Sequence, residues 1–177
     1  MTTSHQTAQM TVSFTTIRFG PESANRLPEA SAPGVPGALA ALETFYYAFN
    51  NRDAKTFAEL WLNDPLIQLN NPVGGIMRGI EPIVALYTRI FDGPARVQVT
   101  FEDVVQYASS DMVVFAGRER GQYEQGGSVM PLEIRTSRVF GFVEGGWRQI
   151  HHHGSIDDAD LLGRYQRAIR GQAPDTK

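Results

Sequence analysis

The chain has 177 residues and no cysteine, a length ordinary for one domain and sufficient to remove roughly 70% of the unfolded surface on folding, so one core suffices without disulfide or thiolate staples. Sixteen basic residues against nineteen acidic ones give a net charge of −3, and without a basic run this excludes the electrostatic footprint of a nucleic-acid binder. No stretch approaches the ~18 apolar residues of a membrane span, and the opening MTTSHQTAQM lacks a basic segment followed by an apolar one, so no secretory leader, no membrane partner and a cytoplasmic location are expected.

Residues 1–37 read as an arm and linker. Thr11 to Phe19 (TVSFTTIRF) alternates in a β-compatible way, and GPESANRLPEASAPGVPG is rich enough in Pro, Gly, Ala and Ser to resist regular structure. From Ala38, Leu39, Leu42, Phe45, Tyr46 and Phe49 recur at three and four, the stripe of a buried helix ending near Asn50 and Asn51. Asp53 caps a second helix carrying Phe57, Leu60 and Trp61 on one face, which stops before Pro65. Two short strands, Leu66 to Asn71 and Ile76 to Gly79, flank a Gly74-Gly75 turn as a hairpin, and Ile80 to Phe91 is the third helix, with Pro82 harmless in its first turn.

Ala95 to Ser155 reads as four long strands separated by Ser109-Ser110-Asp111, Gln125-Gly126-Gly127 and Glu144-Gly145-Gly146, an antiparallel meander. Alternation assigns faces: Val97, Val99, Phe101 and Val105, then Val113 and Phe115, then Leu132, Ile134 and Phe140 point inward, and the third strand's parity carries Arg138 inside. In the last strand Trp147, Gln149, His151 and His153 share one face, with Arg148, Ile150 and His152 on the other. Asp157 to Arg170 closes the chain as a helix with Leu161, Leu162, Tyr165 and Ile169 in phase, so residues 38–156 form the domain and 157–177 a C-terminal helix and tail.

Three helices followed by a strongly curved antiparallel sheet resembles the nuclear transport factor 2-like fold, an α+β cone in which the sheet wraps the N-terminal helices. FYYAFNNRDAKTFAELW and NNPVGGIMRGIEPIVALY resemble segments of SnoaL-like and ketosteroid-isomerase-like members, and RTSRVFGFVEGGWRQIHHHGS is similar to the closing hairpin of the calcium/calmodulin-dependent kinase association domain. The likeness implies a pocket inside the cone. It also implies that the usual steroid-isomerase mechanism is missing: Asn71 stands where that family has its base, Phe45 where it has an oxyanion-hole tyrosine, and Arg138 where it has a protonated aspartate. An amide takes up no proton at neutral pH and a phenyl ring donates no hydrogen bond.

The expected pocket holds Asn71, Glu119, Tyr123, Arg138, Gln149, His151 and His153, with Tyr46, Trp61, Met77, Tyr87 and Phe91 as walls. Two readings stand for Arg138: an oxyanion clamp, or an internal ion pair with inward-facing Glu119. His151 and His153 are the proton carriers if the protein is a catalyst; they are otherwise plain hydrogen-bonding residues, and with Glu119 they could form a two-His-one-carboxylate set, although no metal or other cofactor is expected. The aromatics are ligand walls or ordinary core. The leading expectation is a small-molecule-binding protein, with cofactor-independent acid–base chemistry (isomerase, dehydratase or cyclase) on a small organic, anionic substrate as its catalytic form. The alternative is a non-catalytic oligomerisation or ligand-sensing module. A homodimer is expected through the outer sheet face, where Val114, Ala116, Val139 and Ile150 lie among arginines.

Overall fold

The computed structural model describes residues 9–172; the opening residues considered above for a leader and the last five residues of the tail lie outside them. The order is β1 (Thr11–Thr15), a 3-10 turn (Leu27–Ser31), α1 (Val35–Asn51), α2 (Ala54–Leu60), β2 (Gln68–Asn70), β3 (Met77–Arg78), α3 (Ile80–Asp92), β4 (Arg96–Ala108), β5 (Met112–Gln125), β6 (Ser128–Val143), β7 (Gly146–Ser155) and α4 (Ala159–Ile169). One curved, unclosed seven-stranded sheet runs β1-β4-β5-β6-β7-β2-β3, and its concave face packs on α1, α2 and α3. This is an α+β cone.

Local chemistry sets the boundaries. The Asp53 side chain accepts from the Thr56 amide at the start of α2, and Asp158 accepts from the Leu161 amide at the start of α4. The Pro-rich tract is docked instead of free: the Arg26 amide donates to Thr44 Oγ1 at 2.9 Å, and Trp147 Nε1 donates to the Ala32 carbonyl at 3.1 Å. α1 therefore starts at Val35, three residues before the periodicity announces it, with Pro36 in its first turn. β1 pairs antiparallel with β4 from Thr11↔Ala108 to Thr15↔Val104, covering one sheet edge. β2 pairs with β3 as the turn signals require and also runs parallel to β7, a pairing that no local signal encodes.

Two bulges change which side chains face inward. In β4 the register shifts between Glu102 and Val105, with Asp103 at φ 58°, so Val104 and not Val105 enters the core. Gly117 makes room there, since a Cβ on it would lie 2.7 Å from the Glu102 carbonyl oxygen. In the β6–β7 ladder Phe140 pairs with Gln149 but Val139 pairs with His151, leaving Ile150 as the extra residue. Trp147 and Gln149 remain inside; beyond Ile150 the parity inverts, so His152 is buried while His151 and His153 turn outward. The expectation for these three histidines is reversed, because a one-residue insertion moves every later side chain to the other face.

Candidate functional site

Aromatic rings fill the wide part of the cone. Phe45, Phe49, Phe57, Tyr87 and Phe91 form a chain of edge and tilted contacts, with Phe57 and Tyr87 only 4.1 Å apart at their centroids. Beside them α1, β5, β6 and β7 bring together a buried polar cluster. Arg138 Nη2 bonds Glu119 Oε1 at 2.6 Å, Arg138 Nε donates to the Tyr46 hydroxyl at 3.0 Å, and that hydroxyl donates to the same Glu119 oxygen at 2.8 Å. The guanidinium carbon lies 3.4 Å from the Phe45 ring centroid, a stacking that offsets part of its desolvation. Arg138 is 1% exposed. Burial lowers its pKa, but Tyr46, Glu119 and Tyr87 more than compensate, so it remains a cation. The ion-pair reading of Arg138 is the one realised, and with its charge met by Glu119 it retains no full charge for an anionic ligand.

His152 faces this cluster across the β6–β7 ladder, opposite Arg138. Burial first, and then the charge of Arg138, push its pKa well below 6.5, so the ring is neutral. The Tyr87 hydroxyl lies 3.4 Å from His152 Nδ1. A Tyr87 hydroxyl that donates to Nδ1 leaves the neutral imidazole with its hydrogen on Nε2. Nε2 is buried without a hydrogen-bond partner. Gly154 keeps the space beside it open: a Cβ there would sit 3.3 Å from both Nε2 and Pro72 Cδ.

His152 is one of the residues around a void of about 20 Å³, with Asn71, Tyr87, Glu119, Arg138 and Tyr165, and Phe49, Pro72, Ile90 and Ile134 complete the wall. That is room for about one water molecule. Asn71 Oδ1 is occupied by the Val73 amide, and Glu119 Oε2 has no hydrogen-bond partner among the described residues. The void is therefore walled by a neutral imidazole and by a carboxylate with one oxygen free of hydrogen bonds among the described residues.

Of the residues expected from sequence, Asn71, Tyr87, Glu119 and Arg138 meet here. Tyr46 and Gln149 stand one contact behind, each on Arg138. Tyr123 backs Tyr165 at 5.5 Å, and Trp61 and Phe91 belong to the aromatic core against Phe57. Met77 sits on edge strand β3, paired with Leu69. His151 lines a shallow outer groove with Leu66 and Ile150, and His153 is exposed, so neither reaches the void. Among the described residues no three His, Asp or Glu side chains converge as metal ligands, and no helix is long and apolar enough to cross a membrane. His152 and Tyr165 were missed: the bulge that turns His152 inward has no sequence marker, whereas Tyr165 lies on α4's apolar stripe and could have been found there.

The model of the SnoaL-like domain family matches residues 38–159. The chain belongs to the SnoaL-like family. No match is found among the curated proteins. Solved structures share the fold. A proposed dehydratase of the nuclear transport factor 2-like family from Streptomyces avermitilis is 19% identical, covering 69% of this chain and 95% of its own with a TM-score of 0.63. A proposed calcium/calmodulin-dependent protein kinase type II association domain from Thiobacillus denitrificans is 24% identical over 68% of this chain and 94% of its own, at 0.56. A ketosteroid isomerase-like protein from Erwinia carotovora atroseptica is 18% identical over 68% and 93%, at 0.59. As in the wider fold, activity must be argued from the site.

Proposed function

We propose that this SnoaL-like protein binds a compact, neutral carbonyl compound at the Glu119–His152 void and moves a proton on it without a cofactor. The carrying observation is that His152, neutral and with its Nε2 unpartnered, and Glu119, with its Oε2 free of hydrogen bonds among the described residues, line one water-sized space. Glu119 Oε2 would take the proton from the carbon next to the carbonyl; the C–H pair becomes a C=C bond, and the charge developing on oxygen meets His152 Nε2–H. Return of the proton to another carbon is isomerisation, and departure of a β-hydroxyl as water is dehydration. The neutral Arg138–Glu119 pair favours an uncharged substrate over the anion expected from sequence, because a second negative charge in the cone would go unmatched. The test is deuterium uptake from D2O into acetone and a panel of small ketones, followed by NMR. Wild type should exceed buffer, with Glu119→Gln losing about 100-fold or more of the gain; no acceleration across the panel overturns the reading.

The outer sheet face supports a second copy of this chain as partner. Val12–Tyr107–Val114–Val139 and Phe14–Val105–Ala116 form adjacent cross-strand rows, with Val12 and Phe14 about 60% exposed. Beside them an alternating ladder, Arg18–Glu102–Arg120 and Arg118–Glu133, carries both signs. Apolar rows beside charges of both signs are the composition that a two-fold contact between identical faces calls for.

A further inference from the structure

The SnoaL-like match ends at residue 159, where α4 (Ala159–Ile169) begins. α4 is strongly amphipathic but buries only Tyr165 and Ala168. Tyr165 is 4% exposed and forms part of the wall of the void, together with Glu119, Arg138 and His152. Its ring stands edge-on to Tyr123. Leu161, Leu162 and Ile169 also pack against the core, and three polar contacts hold the helix to the domain: Gln166 Nε2 donates to the Pro72 carbonyl at 2.8 Å, Gln125 Nε2 to the Ala168 carbonyl at 3.3 Å, and Arg170 Nη2 to the Val73 carbonyl at 3.5 Å. Pro72 and Val73 belong to the β2–β3 turn, and Pro72 lines the void.

We infer that α4, outside the family domain, is the closing wall of the site and that Tyr165 determines its specificity by limiting the guest to a few non-hydrogen atoms. This rests on the reading of the void as a ligand site. With Tyr165 seated, the void takes about one water or the carbonyl end of a small guest, whose remainder stays in the opening to solvent, and a phenyl-sized guest must take the place of the Tyr165 ring. Tyr165 is thus a binding residue, with Gln166 and Gln125 positioning it.

Two ketones of different size test this, acetone and acetophenone, titrated into the full chain as wild type, Tyr165→Phe and Tyr165→Ala while the His152 ring signals are followed by NMR. Acetone should shift the His152 ring in all three forms. Acetophenone should bind Tyr165→Ala about tenfold or more tightly than wild type, with Tyr165→Phe, which keeps the ring, behaving as wild type. Equal acetophenone binding by all three overturns the role of Tyr165 and leaves the site reading intact. Failure of either ketone to move His152 in any form removes the site reading and this inference with it. If Tyr165→Ala melts below the assay temperature, Tyr165→Leu takes its place under the same tenfold criterion.

Discussion

Replacing Glu119 by Gln keeps the shape of the buried cluster and removes one charge. Arg138 Nη2 then loses an anion at 2.6 Å while the guanidinium stays 1% exposed. An arginine cannot discharge itself by losing its proton. The Phe45 face at 3.4 Å and the Tyr46 oxygen at 3.0 Å remain and soften the loss, which places Glu119→Gln at about 3–5 kcal/mol, the cost of stranding one partner of a buried pair. For a chain of this size that corresponds to a melting temperature lower by roughly 6–20 °C. Arg138→Met should cost less, about 1–3 kcal/mol, because the carboxyl left behind can take up a proton and become neutral. The double variant should be no less stable than Glu119→Gln alone, since the second change removes the stranded cation. Urea unfolding of the three variants measures all of this from midpoints at constant slope. Glu119→Gln within about 0.5 kcal/mol of wild type would refute the argument, because it would mean that water reaches the guanidinium.

His152 ties stability to pH with a definite sign. Its folded pKa is depressed below the ordinary 6.5, so below that value the unfolded chain binds a proton that the native state refuses, and stability should fall as pH drops from about 6.5 by up to roughly 1.4 kcal/mol per unit. His152→Gln should flatten this slope, leaving the smaller contribution of His151, whose pKa is lowered in the same direction; an unchanged slope would count against a buried neutral ring. Deleting residues 1–18 uncovers the β4 edge that β1 pairs with, and a loss of about 1 kcal/mol, or 2–4 °C, is expected; an unchanged melting curve with fast amide exchange at Thr11–Thr15 would show a strand without energetic role. Light scattering at micromolar concentration should give twice the 19.6 kDa chain mass, and Val114→Lys, in the middle of the outer apolar rows, should halve it; a wild-type monomer would retire the sheet-face dimer.

The elements themselves could be read from the sequence, because helical and strand periodicities are local. The stripe Leu42, Phe45, Tyr46 marks α1, Asp53 marks the start of α2, and three Gly or Ser turns divide the meander. The inward course of Arg138 followed from strand parity, and Glu119 as its partner followed from the rule that buried charges are matched. Tertiary structure decided the rest. Whether Arg138 clamps a ligand or spends its charge on Glu119 depends on the 2.6 Å approach of two strands. Whether His151 and His153 or His152 enters the cone depends on one unpaired residue, Ile150, in the β6–β7 ladder. Side-chain alternation propagates a face assignment only while register holds, and a bulge is a property of the pairing between two strands, with no periodicity of its own. The same holds for Tyr165, whose apolar stripe shows that α4 must be covered but not by what; its place at the void is set by where the β2–β3 turn and Gln125 present the groups that anchor the helix.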